Sequence, residues 1–491
     1  MYNVAFQPEL RPALPVIRGP KEYHEFEDMI VEMDRILTES GLEDKFVRRH
    51  LEACAEDKSA RAVASRAKVA RKALRHAILL AVTGLSSRKL SMHIAGNSLF
   101  IWFTGSANVE GARIASKSAI DRFEKMFAAE DVAQLVHDLN RLAMDKDAAP
   151  ERLPAGKPLD VREVFADTTC IEADIHFPVD WVLLRDAVRT LTKAVSLIRG
   201  RGLVNRMSSP KSFMREMNKL CIEMTHARRT KNAKKARKVV LRKMKKLVKV
   251  VSGHARRHYD LLAGKRGKTD LSEAQARQVL ARIDSVLSLL PVAVHQAHER
   301  IIGGRLVRNE DKILSLYEPD VHVIVRGKAG AEVEFGNGLY LAEQTEGLIV
   351  DWEFFRGQPP ADSSMVRGSL ARIEANYGMP EAYTADRGFH SKANARHLES
   401  EGIFNGICPR SVHELQSRLE EPRFSGLQTR RGSTEGRISI LTRCYVGSPL
   451  RGKGFKNRSV RIEWCIFAHN LCKLAEKAAT RRREARKAQA A

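Results

Sequence analysis

The sequence predicts an α/β protein: a mixed sheet with carboxylates at strand ends, an all-α N-terminal part and a long basic helical insertion. Three observations predict it. Apolar residues recur with helical period through much of the first 315 residues, and from about residue 320 they alternate with the period of strands. Beyond that point strand patterns and helix patterns follow one another, which is the order of a layered α/β sheet. Within the helical part, residues 199–315 are densely basic.

In chain order, Pro8, Pro12, Pro15 and Pro20 make residues 1–22 an extended arm. Phe26, Met29, Ile30, Met33 and Ile36 then recur at helical spacing and stop before Gly41. A second helix is expected from Arg61 to Thr83 on the spacing of Ala70, Ala73, Leu74, Ala77, Ile78 and Ala81. Residues 83–95 read as a helix end, a turn at Gly84, a serine cap and a short helix. Ser116 starts another capped helix. That arrangement suits a helix-turn-helix reader of DNA within residues 23–145. Pro150, Pro154, Gly156 and Pro158 then mark a linker.

Residues 160–198 form the first part of the expected core. A short strand, Val161 to Thr169, runs into Asp167, and a helix spans Trp181 to Ile198. Within the insertion, 14 Lys or Arg fall between Arg228 and Arg257, among them Lys234, Lys235, Arg237, Lys238, Arg242 and Lys243. Val239, Val240, Met244, Leu247, Val248 and Val251 interleave with helical period, so one stripe is apolar and the remainder basic. Like charge at this density repels itself unless a polyanion is present, which favours phosphate contact over a merely solvated face.

Residues 316–475 form the second part of the core. Val321, Val323 and Val325 alternate, and Gly336-Asn337-Gly338 reads as a hairpin turn. Leu348 to Phe355 is a strand and Met365 to Tyr377 a helix. Ala382 to Asp386 is a strand ending on a carboxylate, followed by a helix capped by Ser391 and stopped at Gly402. Ile403 to Cys408 is a further strand, and Arg430 to Leu441 starts a capped helix with Glu435 in its first turn. The last helix is expected over 457–483, with 476–491 a frayed basic tail.

Composition narrows the function. The 84 Lys and Arg against 59 Asp and Glu leave a formal charge of +25, which points to nucleic acid as partner. The seven cysteines show no C-x-x-C spacing, which argues against a disulfide framework or zinc finger and for reduced thiols in the cytoplasm, here at the nucleoid. The N-terminus lacks a signal-peptide pattern and no apolar run reaches 18 residues, so no membrane partner is expected. Three carboxylates stand out by context: Asp167, Asp386 and Glu435, with Asp351 and Asp174 as rivals. A protein that cuts phosphodiesters needs hard oxygen ligands for Mg²⁺, and two such ions stabilise the attacking and leaving oxygens together.

These residues carry a resemblance. Phe165-Ala166-Asp167-Thr168-Thr169 followed by Ile175-His176-Phe177-Pro178-Val179-Asp180, then Thr384-Ala385-Asp386-Arg387-Gly388-Phe389, then Thr434-Glu435-Gly436-Arg437-Ile438-Ser439-Ile440-Leu441, resemble the DDE transposases of bacterial insertion sequences (ISNCY-like). Val333-Glu334-Phe335-Gly336-Asn337 fits as well, and the segment around Gly84-Leu85-Ser86 resembles the helical domain these enzymes carry first. The resemblance implies a ribonuclease-H-like core and a metal-binding catalytic triad of Asp167, Asp386 and Glu435, with Mg²⁺ or Mn²⁺ as two ions. It implies strand cleavage by water at transposon ends, then attack of the freed 3′-hydroxyl on target DNA. Double-stranded DNA, as terminal inverted repeats and target, is the implied partner, with a homodimer on DNA. The family often places a tyrosine and an arginine before the glutamate and a lysine seven residues after it. Arg431 fits; Gln428 stands at the tyrosine position and Thr442 at the lysine position, with Arg443 beside it. Arg431, Arg437, Arg443 and the basic insertion are the expected DNA contacts. The rivals are a ribonuclease-H-like nuclease without strand transfer and a catalytically inactive DNA-binding regulator derived from a transposase.

Overall fold

The N-terminal helical periodicity becomes α1 (Lys21–Glu39), α2 (Leu42–Ala53), α3 (Ala60–Thr83), α4 (Ser87–Ala95) and α5 (Ser98–Phe103). After a two-residue-per-strand hairpin, β1 (Ala107–Asn108) and β2 (Gly111–Ala112), come α6 (Lys117–Glu124) and α7 (Ala129–Met144). The structure is a computed structural model and describes residues 12–53, 59–108, 111–328 and 331–490. Cys54 and the first half of the expected N-terminal arm lie outside them, and residues 12–20 have no regular structure. The other six cysteines are free thiols.

Strand β3 (Glu163–Glu172) opens the sheet. The helix expected over 181–198 is α8 (Asp180–Gly200), and the basic insertion after it folds as α9 (Pro210–Ala227), α10 (Ala233–Lys265) and α11 (Glu273–Ala297). Then come β4 (His322–Lys328), β5 (Ala331–Gln344), β6 (Ile349–Phe354), α12 (Val366–Tyr377), β7 (Ala382–Ala385), α13 (Lys392–Ser400) and β8 (Phe404–Asn405). The chain closes with α14 (Val412–Leu419), α15 (Pro422–Ile440) and α16 (Phe455–Ala490). The sheet is mixed: its order is β4-β5-β3-β7-β8, with β6 also paired to β5. β3, β7 and β8 run parallel, while β4, β5 and β6 are antiparallel neighbours.

The chain divides into two compact units. The first holds residues 1–171, 338–355 and 359–491. Its organising element is α16, which packs on α1, α3 and α7 and buries Trp464, Phe467, Leu471 and Leu474. Residues 23–145 therefore share one hydrophobic core with the C-terminal helix. A buried amide network ties them to the sheet: Asn470 Nδ2 donates to Ile349 O at 2.8 Å and to Asn140 Oδ1 at 3.0 Å, and Asn140 Nδ2 donates to Ile349 O at 2.9 Å. The turn expected within a helix-turn-helix lies at Gly84, whose φ is +59°, and a Cβ there would stand 2.9 Å from the carbonyl oxygen of Cys444. Glycine is required at that turn by conformation and by space together.

The second unit holds residues 172–337 and 356–358. In it α8 packs on α9, α10 and α11 around Leu184, Leu191, Met217, Leu241, Met244 and Ile283. The stretch Glu273–Gly303 is apolar and long enough by composition to cross a membrane. Its buried stripe of Ile283, Val286, Leu290 and Ala293 serves the bundle core.

Four local expectations are corrected. Gly336-Asn337-Gly338 makes no hairpin; β5 runs straight through it. Asn337 is buried and donates from Nδ2 to Asp320 O at 2.7 Å, so its amide satisfies backbone instead of shaping a turn. The strand expected at 403–408 is only two residues long. Glu435 is not in a first turn, because the helix starts at Pro422. The C-terminal helix does not fray at residue 481 but continues to Ala490. Arg481 Nη1 donates to Leu153 O at 3.0 Å, and Arg482 and Arg483 pair with Glu32 and Glu25.

Candidate active site

The site begins with strand register. β3 and β7 pair in parallel with Val164 opposite Tyr383, Phe165 opposite Thr384 and Ala166 opposite Ala385. The next residue on each strand path is an aspartate, so the register carries Asp167 and Asp386 to the same end of two neighbouring parallel strands, whose spacing is about 4.8 Å. The strands are held there by buried Val164, Phe165, Ala166, Ala382, Tyr383 and Ala385. Asp386 follows the last residue of β7, as expected. Asp167 does not end its strand, because β3 continues to Glu172. Its Oδ1 accepts from the Thr168 N–H at 2.7 Å, and Asp386 Oδ1 accepts from the Gly388 N–H at 2.8 Å.

Glu435 approaches from α15. Its side chain is 63% exposed, and its Oε1 accepts from Arg431 Nη1 at 3.3 Å. Arg431 Nε also donates to Gln428 Oε1 at 3.2 Å, and Gln428 Nε2 donates to Gly406 O at 2.6 Å and to Ala385 O at 3.4 Å. Gln428, Arg431 and Glu435 thus share the helix face nearest the end of β7.

The electrostatics join the three acids. Burial pushes the Asp167 carboxyl up to about 6, and the negative charges of Asp386 and Glu435 push the same way. The Thr168 N–H and the Arg431 guanidinium oppose the rise. Asp167 therefore lies within the field of both other acids and of Arg431.

Sequence reasoning missed a fourth carboxylate. Thr168 Oγ1 donates to Asp362 Oδ1 at 3.2 Å. A Cβ added at Gly388 would stand 2.7 Å from Asp362 Oδ2 and 3.0 Å from Asp386 Oδ1, so the two carboxylates flank one backbone atom. Asp362 sits in Ala-Asp-Ser-Ser between a strand and a helix, where an aspartate reads as a turn residue. The rivals fall elsewhere. Asp351 is buried and bound by Arg372, Nε to Oδ1 at 2.7 Å and Nη2 to Oδ2 at 3.0 Å. Asp174 is exposed beyond the end of β3.

Among the described residues no three of His, Cys, Asp and Glu converge tightly enough to close around one ion. The donor chemistry nonetheless fits Mg²⁺ or Mn²⁺. Mg²⁺ is commonly held by one or two carboxylates plus waters and substrate phosphates. The Asp167–Asp386 pair offers such oxygens, and Asp386 and Glu435 add their negative charges to the burial that raises the Asp167 carboxyl.

Of the expected DNA contacts, Arg443 is exposed on the wide helical turn Leu441–Val446 that continues α15. Arg437 turns inward, its Nη1 donating to Glu343 Oε1 at 3.1 Å. On α10, Lys234, Lys235, Arg242 and Lys243 are exposed, while Arg237 and Lys238 are half-buried. Lys243 pairs with Glu223 at 3.5 Å.

Fold and site together define a mixed α/β protein with paired strand carboxylates beside an arginine-bearing helix. No protein-family model, curated protein or solved structure matches the chain.

Proposed function

We propose that this protein is a DNA transposase with a ribonuclease-H-like catalytic core, cleaving DNA strands at transposon ends and joining the freed 3′-hydroxyl to target DNA. The observation that carries the reading is the register that sets Asp167 beside Asp386, with Glu435 and Arg431 reaching the same neighbourhood. Asp167, Asp386 and Glu435 would hold Mg²⁺ or Mn²⁺. Bound there, the ions supply Lewis-acid stabilisation of the attacking and leaving oxygens.

The chain's own residues do the rest. Asp167 has to be ionised to serve as a ligand, so its raised carboxyl makes the site sensitive to acid. Arg431 holds Glu435 and partly offsets the charge of Asp167. The exposed cations of α10 supply sequence-independent grip on phosphates. Two DNA ends must be joined in concert, so a homodimer on double-stranded DNA is part of the reading.

The test is nicking of the DNA flanking this gene with Mg²⁺ or Mn²⁺, wild type against Asp386→Ala. Cleavage at a defined 3′ end that vanishes in the variant, with DNA binding retained, supports the transposase. Cleavage without joining to a target duplex indicates a nuclease. The looseness of the acidic group favours one further reading, an inactive DNA-binding relative. Binding without metal-dependent cleavage by the wild type would establish that one.

A further inference from the structure

Glu343 is a buried carboxylate that the chemistry above leaves unused. It lies near the end of β5 and is 3% exposed. Its Oε1 accepts three hydrogen bonds, from Thr434 Oγ1 at 2.8 Å, Arg430 Nη1 at 3.0 Å and Arg437 Nη1 at 3.1 Å. The three donors are spaced four and then three residues along α15, so they occupy one face of that helix. Glu435 follows Thr434 directly and belongs to the adjacent face, with Gln428 and Arg431. Arg430 also lies over the ring of Phe165, 4.5 Å from its centroid and two residues before Asp167. Arg437 lies flat on the turn after β5, where a Cβ on Gly347 would collide with its guanidinium.

We propose that Glu343 is a positioning residue for the cleavage site. It sets the rotation of α15 about its own axis, and through that rotation the place of Glu435 relative to Asp167 and Asp386. The inference rests on the transposase reading. A carboxylate suits the task because one oxygen can accept from two guanidinium groups and a hydroxyl at once. A glutamine there would keep one acceptor oxygen but set N–H donors against the arginines. Phe424 and Leu427, both buried, hold α15 independently of Glu343, so losing the carboxylate turns the helix without detaching it.

The test uses the full chain and two variants that reach the same seat from opposite sides. Glu343→Gln removes the shared acceptor charge; Gly347→Ala displaces Arg437 and also strains the turn, where Gly347 has φ +90°, so its thermal midpoint is read beside it. The measurements are Mn²⁺ binding to DNA-free protein by electron paramagnetic resonance, thermal midpoint, DNA affinity, and kcat and KM for Mg²⁺-dependent nicking. We expect both variants to lose about 10–100-fold in kcat and in Mn²⁺ affinity, as supporting residues of metal sites do, with DNA affinity and KM kept. Folded Glu343→Gln with wild-type Mn²⁺ affinity and kcat, even at a lower thermal midpoint, would make Glu343 a packing residue and overturn the proposal. A wild type without Mn²⁺ binding that depends on Asp386 would overturn the transposase reading and this inference together.

Discussion

Asp167 carries the sharpest prediction at the scale of single residues. Its carboxyl is raised to about 6, by burial first and by its acidic neighbours next. A carboxyl raised on folding binds its proton more tightly in the folded state. Its favourable share of stability is therefore full below about pH 4 and is lost as pH rises through about 6. In metal-free protein, Asp167→Asn should raise the thermal midpoint at pH 7.5 and leave it unchanged at pH 4. A tenfold change in proton affinity corresponds to about 1.4 kcal/mol, so with partial exposure the gain is on the order of 1–2 kcal/mol. An unchanged midpoint at pH 7.5 would show that the Asp167 carboxyl is not raised on folding. Cleavage by the wild type should fall as pH drops towards about 6 when the nicking rate is measured at subsaturating Mg²⁺, and the fall should move to lower pH as Mg²⁺ is raised. At this scale the sequence showed Asp167, Asp386 and Glu435 through their neighbours. It hid Asp362 and Glu343, whose roles depend on Thr168, Gly388 and α15 arriving from far along the chain.

At the scale of elements, capped and periodic segments were legible. Ser391 caps α13 as expected, accepting from the Asn394 N–H at 3.0 Å, and Gly402 follows it with φ +70°. Elements failed to be legible where a local signal was put to a tertiary use. Asn337-Gly338 is a strong turn pair, but Pro359 stands 2.8 Å from where a Cβ of Gly338 would be, and Asn337 bonds Asp320. Ser433 and Thr434 look like a cap, but Thr434 is buried and donates to Glu343. Helix α16 yields its own prediction. Glu463 is buried where Trp352 Nε1 donates to its Oε2 at 2.8 Å, and burial pushes its carboxyl up to about 8. Its contribution to stability is full below about pH 4.5 and lost as pH rises through about 8. Glu463→Gln should flatten the fall in thermal midpoint between about pH 5 and 8, with a gain on the order of 2 kcal/mol at pH 9. Parallel falls for both proteins would place the titration elsewhere.

At the scale of the whole molecule, the charge of +25 is concentrated most densely on α10. Lys234, Lys235 and Arg242 are exposed with no carboxylate at ion-pair distance among the described residues. Changing Lys234, Lys235, Arg242 and Lys243 to Gln should weaken duplex binding and make the log K against log salt plot shallower. The slope should change by about 0.9 for each phosphate no longer neutralised, and an unchanged slope would mean that α10 does not touch DNA. The sequence by itself determined the helices, the α/β succession, the basic insertion and the strand contexts of Asp167 and Asp386, because period, caps and charge density are local properties of the chain. Only the tertiary structure decided that Ala166 pairs with Ala385, that Glu435 lies well inside its helix, and that Arg437 turns to Glu343. Register and burial belong to partners far apart in sequence, and no local pattern records which partner a strand or a buried carboxylate will meet.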